Sequence, residues 1–329
     1  MSHRPAISVI MPVYNTAQFL REAIDSIINQ TFTDFEFIII DDASTDGSKE
    51  IIKTYTDHRI ILIENEINKG YVYGLNYAIS IARGKYVARM DSDDISSLAR
   101  LQVQYDFLEN SKNVVMCGTF YELIGSRQIV ELPVCYEDVK NQILYENAFG
   151  HPTVMFSREF FHEHNLNYDS FMVPAEDFNL WSRIAEIGEI RNIPQVLLFY
   201  RLHDKQISQT KNLEQLKITH QICWRNLVKY AELNDSLFYE DSNSCLVDEF
   251  LSRLIFFYKF IAITKHPNIV RLKNYYLYSF REDLLLEPKF RSLMNYSLLK
   301  KEAPQFFYDY LSRKSRLSFY LKCLFLTNE

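Results

Sequence analysis

Residues 85–94 read Lys85-Tyr86-Val87-Ala88-Arg89-Met90-Asp91-Ser92-Asp93-Asp94, and the change of character at position 91 decides the fold. The first six residues are a strand by pattern, and the last four form an acidic turn at its end. Earlier stretches repeat this build. Ile7-Ser8-Val9-Ile10-Met11 is a short β-branched run leading into Pro12-Val13-Tyr14-Asn15, and Glu36-Phe37-Ile38-Ile39-Ile40 ends on Asp41-Asp42. A further strand is expected over 60–63. Continuous apolar runs of this length, bounded by turn residues, predict buried strands. Helical spacing fills the gaps. Phe19, Leu20, Ala23, Ile24, Ile27 and Ile28 share one helical face. Ser44 or Asp46 can cap a helix running to about Thr56, and another is expected from Tyr71 to Arg83, stopped by Gly84.

Strand–helix alternation predicts an α/β fold with right-handed crossovers and a mostly parallel sheet flanked by helices. Ligands of such sheets bind at the carboxyl ends of the strands. The acidic groups at 41–42 and 91–94 both fall there. From about residue 212 helical periodicity takes over, so the expected division is a catalytic domain over 1–210 and an α-helical region over 211–329.

The totals exclude several classes. A chain of 329 residues, 47% hydrophobic and 24% charged, has the balance of a globular protein. A net charge of -6 argues against a general nucleic-acid binder. It leaves room for a single nucleotide, because a divalent cation can supply positive charge locally. The 5 cysteines are scattered and contain no CxxC pair, which fits a reducing compartment. No signal-peptide pattern precedes Ile7, so a cytoplasmic location is expected. The best candidate for a membrane span, residues 250–264, is interrupted by Arg253 and Lys259 and falls short of the roughly 20 residues a bilayer needs. It reads as a packed helix.

Carboxylates at i and i+2 alternate faces in a regular strand but can converge in the turn that leaves one. Converging carboxylate oxygens at Asp91, Asp93 and Asp94 suit a hard cation such as Mg²⁺ or Mn²⁺. A helix-capping turn ahead of a helix over 97–110 is the plainer alternative. An EF-hand is disfavoured, since Ser96 occupies the position of its invariant glycine. Tyr14 can stack on a base, and Asp41 or Asp42 can accept from a base N–H or a ribose hydroxyl. Neither strand end carries GxGxxG or GxxxxGK[ST], which removes a dinucleotide-dependent dehydrogenase and a P-loop phosphotransferase. Glu176-Asp177 opens a helix with Phe178, Trp181 and Ile184 inward. The pair either complements the helix dipole or offers Asp177 as a general base for an acceptor hydroxyl. His151 and His203 lie near strand ends. His203, next but one to Arg201, can reach phosphate or a cation.

In order and spacing, VIMPVYN, DDASTDGS, NKG…GLNYAISIARGKYVARMDSDDIS, HPTVMF, AEDFNLWSR and YRLHDKQIS resemble the family 2 glycosyltransferases of GT-A fold, over residues 7–208. The set is most similar to bacterial enzymes that extend lipooligosaccharide, O-antigen or capsule chains, including β-1,3-galactosyl- and N-acetylgalactosaminyltransferases. The resemblance implies inverting transfer from a UDP-sugar to a glycan or lipid-linked glycan, with Mn²⁺ or Mg²⁺ as cofactor and no nucleic-acid partner. It places Pro12, Tyr14 and Asp42 in the nucleoside pocket, with Asp41 nearby and Asn76 toward the nucleotide or diphosphate. Asp91 and Asp93 become the DxD pair, Asp93 the foremost metal ligand, Asp94 its substitute, and His203 part of a segment over the diphosphate. Asp177 becomes the base, Glu176 its neighbour toward the acceptor, and His151 an acceptor-side residue. One departure is Ser97-Leu98-Ala99-Arg100-Leu101, where the family commonly has proline before Arg-Leu.

The resemblance does not extend past residue 212. There, Tyr275, Tyr276, Tyr278, Phe280 and a basic stretch over 300–322 either pack as a helical subdomain or rest on the anionic inner leaflet. Self-association is compatible with either. Two other readings compete. A nucleotidyltransferase would want a glycine-rich basic loop after the first strand, and Val13-Tyr14-Asn15-Thr16 offers none. A catalytically silent nucleotide-sugar binder of a polysaccharide assembly complex would share the donor site.

Overall fold

The computed structural model describes residues 4–204, 206, 212–234, 237 and 246–286. Two compact units are present, 1–222 and 223–329. The division falls inside a helix, Asn212–Asn234 (α8), later than the change of sequence texture near 210. The first turns of α8 pack with the first unit, where Gln215 Nε2 donates to the Pro174 carbonyl at 3.0 Å.

The first unit holds a nine-stranded sheet, ordered β3-β2-β1-β4-β8-β6-β9-β5 with β7 on β6. Its strands are β1 Ile7–Val13, β2 Phe35–Asp41, β3 Ile60–Glu64, β4 Tyr86–Arg89, β5 Ile95–Ser96, β6 Val114–Leu123, β7 Ile129–Val130, β8 Met155–Ser157 and β9 Glu189–Tyr200. The expected parallel part is β3-β2-β1-β4. Past β4 the sheet turns mixed, because β8 pairs antiparallel with both β4 and β6. β1 and β2 are buried on both faces, which is why they are apolar without alternation. Helix α1, Ala17–Ile28, lays Leu20, Ala23, Ile24 and Ile27 on this core.

Three helix ends differ from expectation, each for a local reason. Helix α2 is only Ser48–Lys53. Its N-cap position is Gly47 rather than Ser44 or Asp46; Asp46, one residue ahead, accepts from Ser48 N at 3.0 Å, and the other oxygen of the same carboxylate accepts from Ala17 N at 2.9 Å. One aspartate therefore serves the first turns of α1 and α2 together. Helix α3, Tyr71–Ile81, ends two residues early, and Gly84 is no C-cap. A Cβ on Gly84 would lie 2.4 Å from Ser8 N, so glycine is required by the close pass of this turn over β1. Helix α4 is Arg100–Asn110 rather than 97–110, because Ser97 still bonds strand β9, its N–H donating to the Leu197 carbonyl at 3.0 Å.

The remaining helices of the first unit are α5 Tyr136–Gln142, α6 Arg158–Glu163 and α7 Glu176–Ala185. Phe178, Trp181 and Ile184 are buried, as their spacing predicts. In the second unit, α9 Leu246–Ile263 and α10 Ile269–Leu286 follow α8, with Trp224 edge-on to Phe256, Tyr276 and Phe280. Among the described residues no helix is long and apolar enough to cross a membrane. The basic and aromatic stretch over 300–322 lies outside the described residues.

Candidate functional site

Sheet order brings distant motifs together. β4 delivers the acidic turn, and β8 with the preceding short helix His151–Thr153 lies beside it, Ala88 opposite Met155. β5 follows the turn and pairs with the end of β9, Ile95 opposite Phe199. That pairing carries Arg201 and His203 onto the acidic residues.

At the ends of β1 and β2, Asn15 and Ala43 both adopt left-handed backbone, φ 54 and φ 61. Asn15 Oδ1 accepts from Thr45 N at 2.8 Å and ties the two turns. Tyr14 is exposed beside them. Both oxygens of Asp42 are engaged, Oδ1 by Asn65 Nδ2 and Lys69 N at 2.8 and 2.9 Å, Oδ2 by Gly70 N at 2.8 Å. Asp42 thus shapes the loop ahead of α3. The free acceptor is on Asp41, whose Oδ1 is buried without a partner. Pro12 lies against α3, its Cβ 3.7 Å from where a side chain on Gly74 would start.

In the acidic turn, Asp91, Asp93 and Asp94 each place a carboxylate oxygen within 4.8 Å of the others. Asp94 is 1% exposed; its Oδ1 accepts from Arg201 N at 2.8 Å, and its Oδ2 has no partner. Burial, and then the charges of Asp91 and Asp93, push the Asp94 carboxyl well above the ordinary range. Burial likewise raises Asp91 to about 6, against the pull of Arg89, which pairs with it through both terminal nitrogens. His203 Nε2 lies 2.8 Å from Asp93 Oδ2, and its ring packs on Phe19 at 5.0 Å. Arg201 lies over Phe19, bonds the Asp93 carbonyl through Nε at 2.9 Å, and pairs with Glu22. An all-oxygen set of mutually repelling carboxylates, one with an orphaned buried oxygen, fits a hard divalent cation.

The second acidic pair opens α7. Asp177 Oδ2 accepts from Asn147 Nδ2 at 2.9 Å, and Oδ1 from Phe178 N at 2.7 Å. Burial raises its carboxyl, partly offset by those two bonds and by Arg89. Glu176 is 3% exposed, and burial with the neighbouring Asp177 charge pushes it up to about 7. Its Oε2 has no partner, while Oε1 lies 3.9 Å from His151 Nδ1. His151 is held neutral, pushed far below its ordinary range by burial and then by the Arg89 charge. Its Nε2 is 3.0 Å from the Tyr168 hydroxyl. Asn76 grips Tyr168 from α3, its amide bonding the Tyr168 N–H and carbonyl, each at 2.9 Å. The Asn76 side chain is therefore a brace between α3 and the segment ahead of α7.

Sequence pattern does not single out Arg89, Asn147, Tyr71 or Tyr168. Arg89 bears on both acidic sets, from Asp91 and Asp94 to Glu176 and Asp177. A lone arginine in an apolar strand buried on both faces was the available signal for it. Nothing local marks Asn147.

Strand ends that carry a carboxylate with a free oxygen, a clustered acidic turn and a separate buried carboxylate sit on the mixed sheet of a GT-A fold. The model of Glycosyl transferase family 2 matches residues 8–164. The O-antigen biosynthesis glycosyltransferase WbnJ of Escherichia coli is 37% identical over 215 residues, 62% of this chain and 82% of that protein. The UDP-Glc:alpha-D-GlcNAc-diphosphoundecaprenol beta-1,3-glucosyltransferase WfgD of Escherichia coli is 32% identical over 209 residues, 62% and 80% of the two chains. Among solved structures, S. aureus TarS 1-349 in complex with UDP-GlcNAc shares the fold, with a TM-score of 0.60 at 16% identity over 96% of this chain and 91% of that one. The chain belongs to the family 2 glycosyltransferases.

Proposed function

We propose that the protein is an inverting hexosyl- or N-acetylhexosaminyltransferase that moves a sugar from a UDP-sugar to a hydroxyl of a bacterial surface glycan. One observation carries the reading: the acidic turn with its orphaned Asp94 oxygen and the separately held Asp177 carboxylate both lie within the influence of one buried guanidinium, Arg89. The relatives WbnJ and WfgD, by their names, support O-antigen and lipid-linked acceptors, and WfgD supports a UDP-sugar donor. Asp41 Oδ1 would accept from a base N–H such as that of uracil, with Tyr14 as a stacking surface.

Asp91, Asp93 and Asp94, with His203 alongside, would hold Mn²⁺ or Mg²⁺, and the cation would supply positive charge to the donor diphosphate. Asp177 takes the acceptor hydroxyl proton as that oxygen bonds to the anomeric carbon. The bond to the diphosphate breaks with its electron pair, on the opposite face, so configuration inverts. The hydroxyl becomes acidic only as it attacks, so a carboxylate is a sufficient base. His151 and the unpartnered Glu176 Oε2 line the acceptor side of this arrangement. A lipid-linked acceptor would bring the reaction to a membrane surface, and we place it at the cytoplasmic face.

A panel of nucleotide sugars, assayed for diphosphate release with Mn²⁺ and followed by acceptor profiling, tests the proposal. UDP-sugars should be turned over in preference to GDP-sugars. Tight donor binding without turnover on any acceptor would favour the silent binder instead.

A further inference from the structure

Asn147 lies in the loop between α5 and the short helix His151–Thr153, 30 residues from the aspartate it touches. Its orientation is set from both ends. Oδ1 accepts from Phe149 N at 3.2 Å, and its backbone carbonyl accepts from Gln142 Nε2 at 3.2 Å. With Oδ1 committed to an N–H, the side-chain NH₂ must face Asp177 Oδ2, which it meets at 2.9 Å. A flipped amide would set oxygen against carboxylate and NH₂ against N–H. Asp177 Oδ1 is fixed by Phe178 N, so the two bonds together lock the carboxylate plane.

We propose that Asn147 is a positioning residue for the transfer reaction, orienting the Asp177 carboxylate toward the acceptor and favouring its ionised, proton-accepting form. The inference rests on the reading of Asp177 as the base. The groups facing Asp177 are Arg89 from β4, Asp91 after it, Tyr71 from α3, Tyr168 ahead of α7 and Glu176 on α7 itself, with His151 neutral beside Glu176. Asn147 differs from these in donating a hydrogen bond directly to the Asp177 carboxylate, at 2.9 Å. A hydrogen bond to the ionised form lowers a carboxyl pKa, and its loss raises it.

The test uses Asn147→Asp, which keeps the shape of the side chain, and Asn147→Ala. Carboxylates held this close share a proton, so the Asp variant should raise the Asp177 midpoint further than the Ala variant. In the intact metal-free protein, a ¹³C-carboxyl NMR titration, with the Asp177 signal assigned by its absence in Asp177→Asn, should move up by about one pH unit in Asn147→Ala. It should move more in Asn147→Asp. In UDP release from the best donor of the panel, the acid limb of the kcat–pH profile should move up in Asn147→Ala by the same interval as the NMR midpoint, so that kcat falls by up to about tenfold on the acid side and recovers as pH rises, with donor KM little changed. An unmoved midpoint in both variants, or a loss of kcat equal at every pH, overturns the inference while leaving the base assignment standing. Normal turnover by Asp177→Asn overturns both. Should the Ala variant fail to fold, the near-isosteric Asp variant decides alone.

Discussion

Asp177 and Glu176 are neighbours in the chain, yet their surroundings give them different protonation behaviour. Asp177 accepts two hydrogen bonds, while Glu176 is buried with an oxygen left unpartnered. Replacing Asp177 by Asn keeps the shape and removes the basic site. Donor affinity measured by calorimetry should hold, and transfer should fall by roughly 10²–10⁴-fold or more. Because the Asp177 carboxyl is raised, kcat should decline toward acid at a pH above the ordinary aspartate range. For Glu176 the sign runs through folding. Its folded pKa, about 7, lies above the ordinary 4.5, so the folded chain binds the proton more tightly. Stability from this group is complete below about 4.5, is lost as pH rises toward 7, and is then constant. In chelator, wild type should lose up to roughly 3 kcal/mol across this window relative to Glu176→Gln. Parallel melting curves for the two from pH 4.5 to 7.5 would contradict this.

At the scale of elements, apolar β-branched runs made the central strands legible, since β1 and β2 are buried whatever lies around them. Helix ends were not, because their caps come from elsewhere in the chain. Asp46 accepts from the first turn of α2 from just ahead of its Gly47 N-cap, but its bond to the start of α1 crosses 29 residues and leaves no local trace. Gly84 reads as a helix stop and proves to be a steric requirement. Gly84→Ala should cost about 3 kcal/mol by denaturant unfolding, as β1 must shift to admit the methyl. A cost of only a few tenths would mean that the turn can move away from Ser8.

Across the whole molecule, sheet order decides which motifs meet. The mixed half of the sheet sets β8 beside β4 and the end of β9 beside β5, so residues more than 100 apart share hydrogen bonds, as Arg201 N and Asp94 Oδ1 do. Mutual repulsion among Asp91, Asp93 and Asp94 should then be relieved by a dication. Mn²⁺ should raise the melting temperature of wild type in a concentration-dependent manner. Asp94→Asn should weaken Mn²⁺ binding by at least about tenfold in calorimetry. Equal Mn²⁺ affinity in the two proteins would remove Asp94 from the ligand set.

What the sequence determined by itself is what short-range pattern can carry: buried strands, amphipathic helices, and acidic turns at strand ends where ligands of such sheets bind. Only the tertiary structure decided which oxygen of which carboxylate is free. Asp41 rather than Asp42 retains an open acceptor, Asn76 is occupied as a brace, and Arg89 and Asn147 join the site unannounced. The physical reason is that hydrogen-bond satisfaction and desolvation are properties of a packed neighbourhood, assembled from segments that the chain itself keeps far apart.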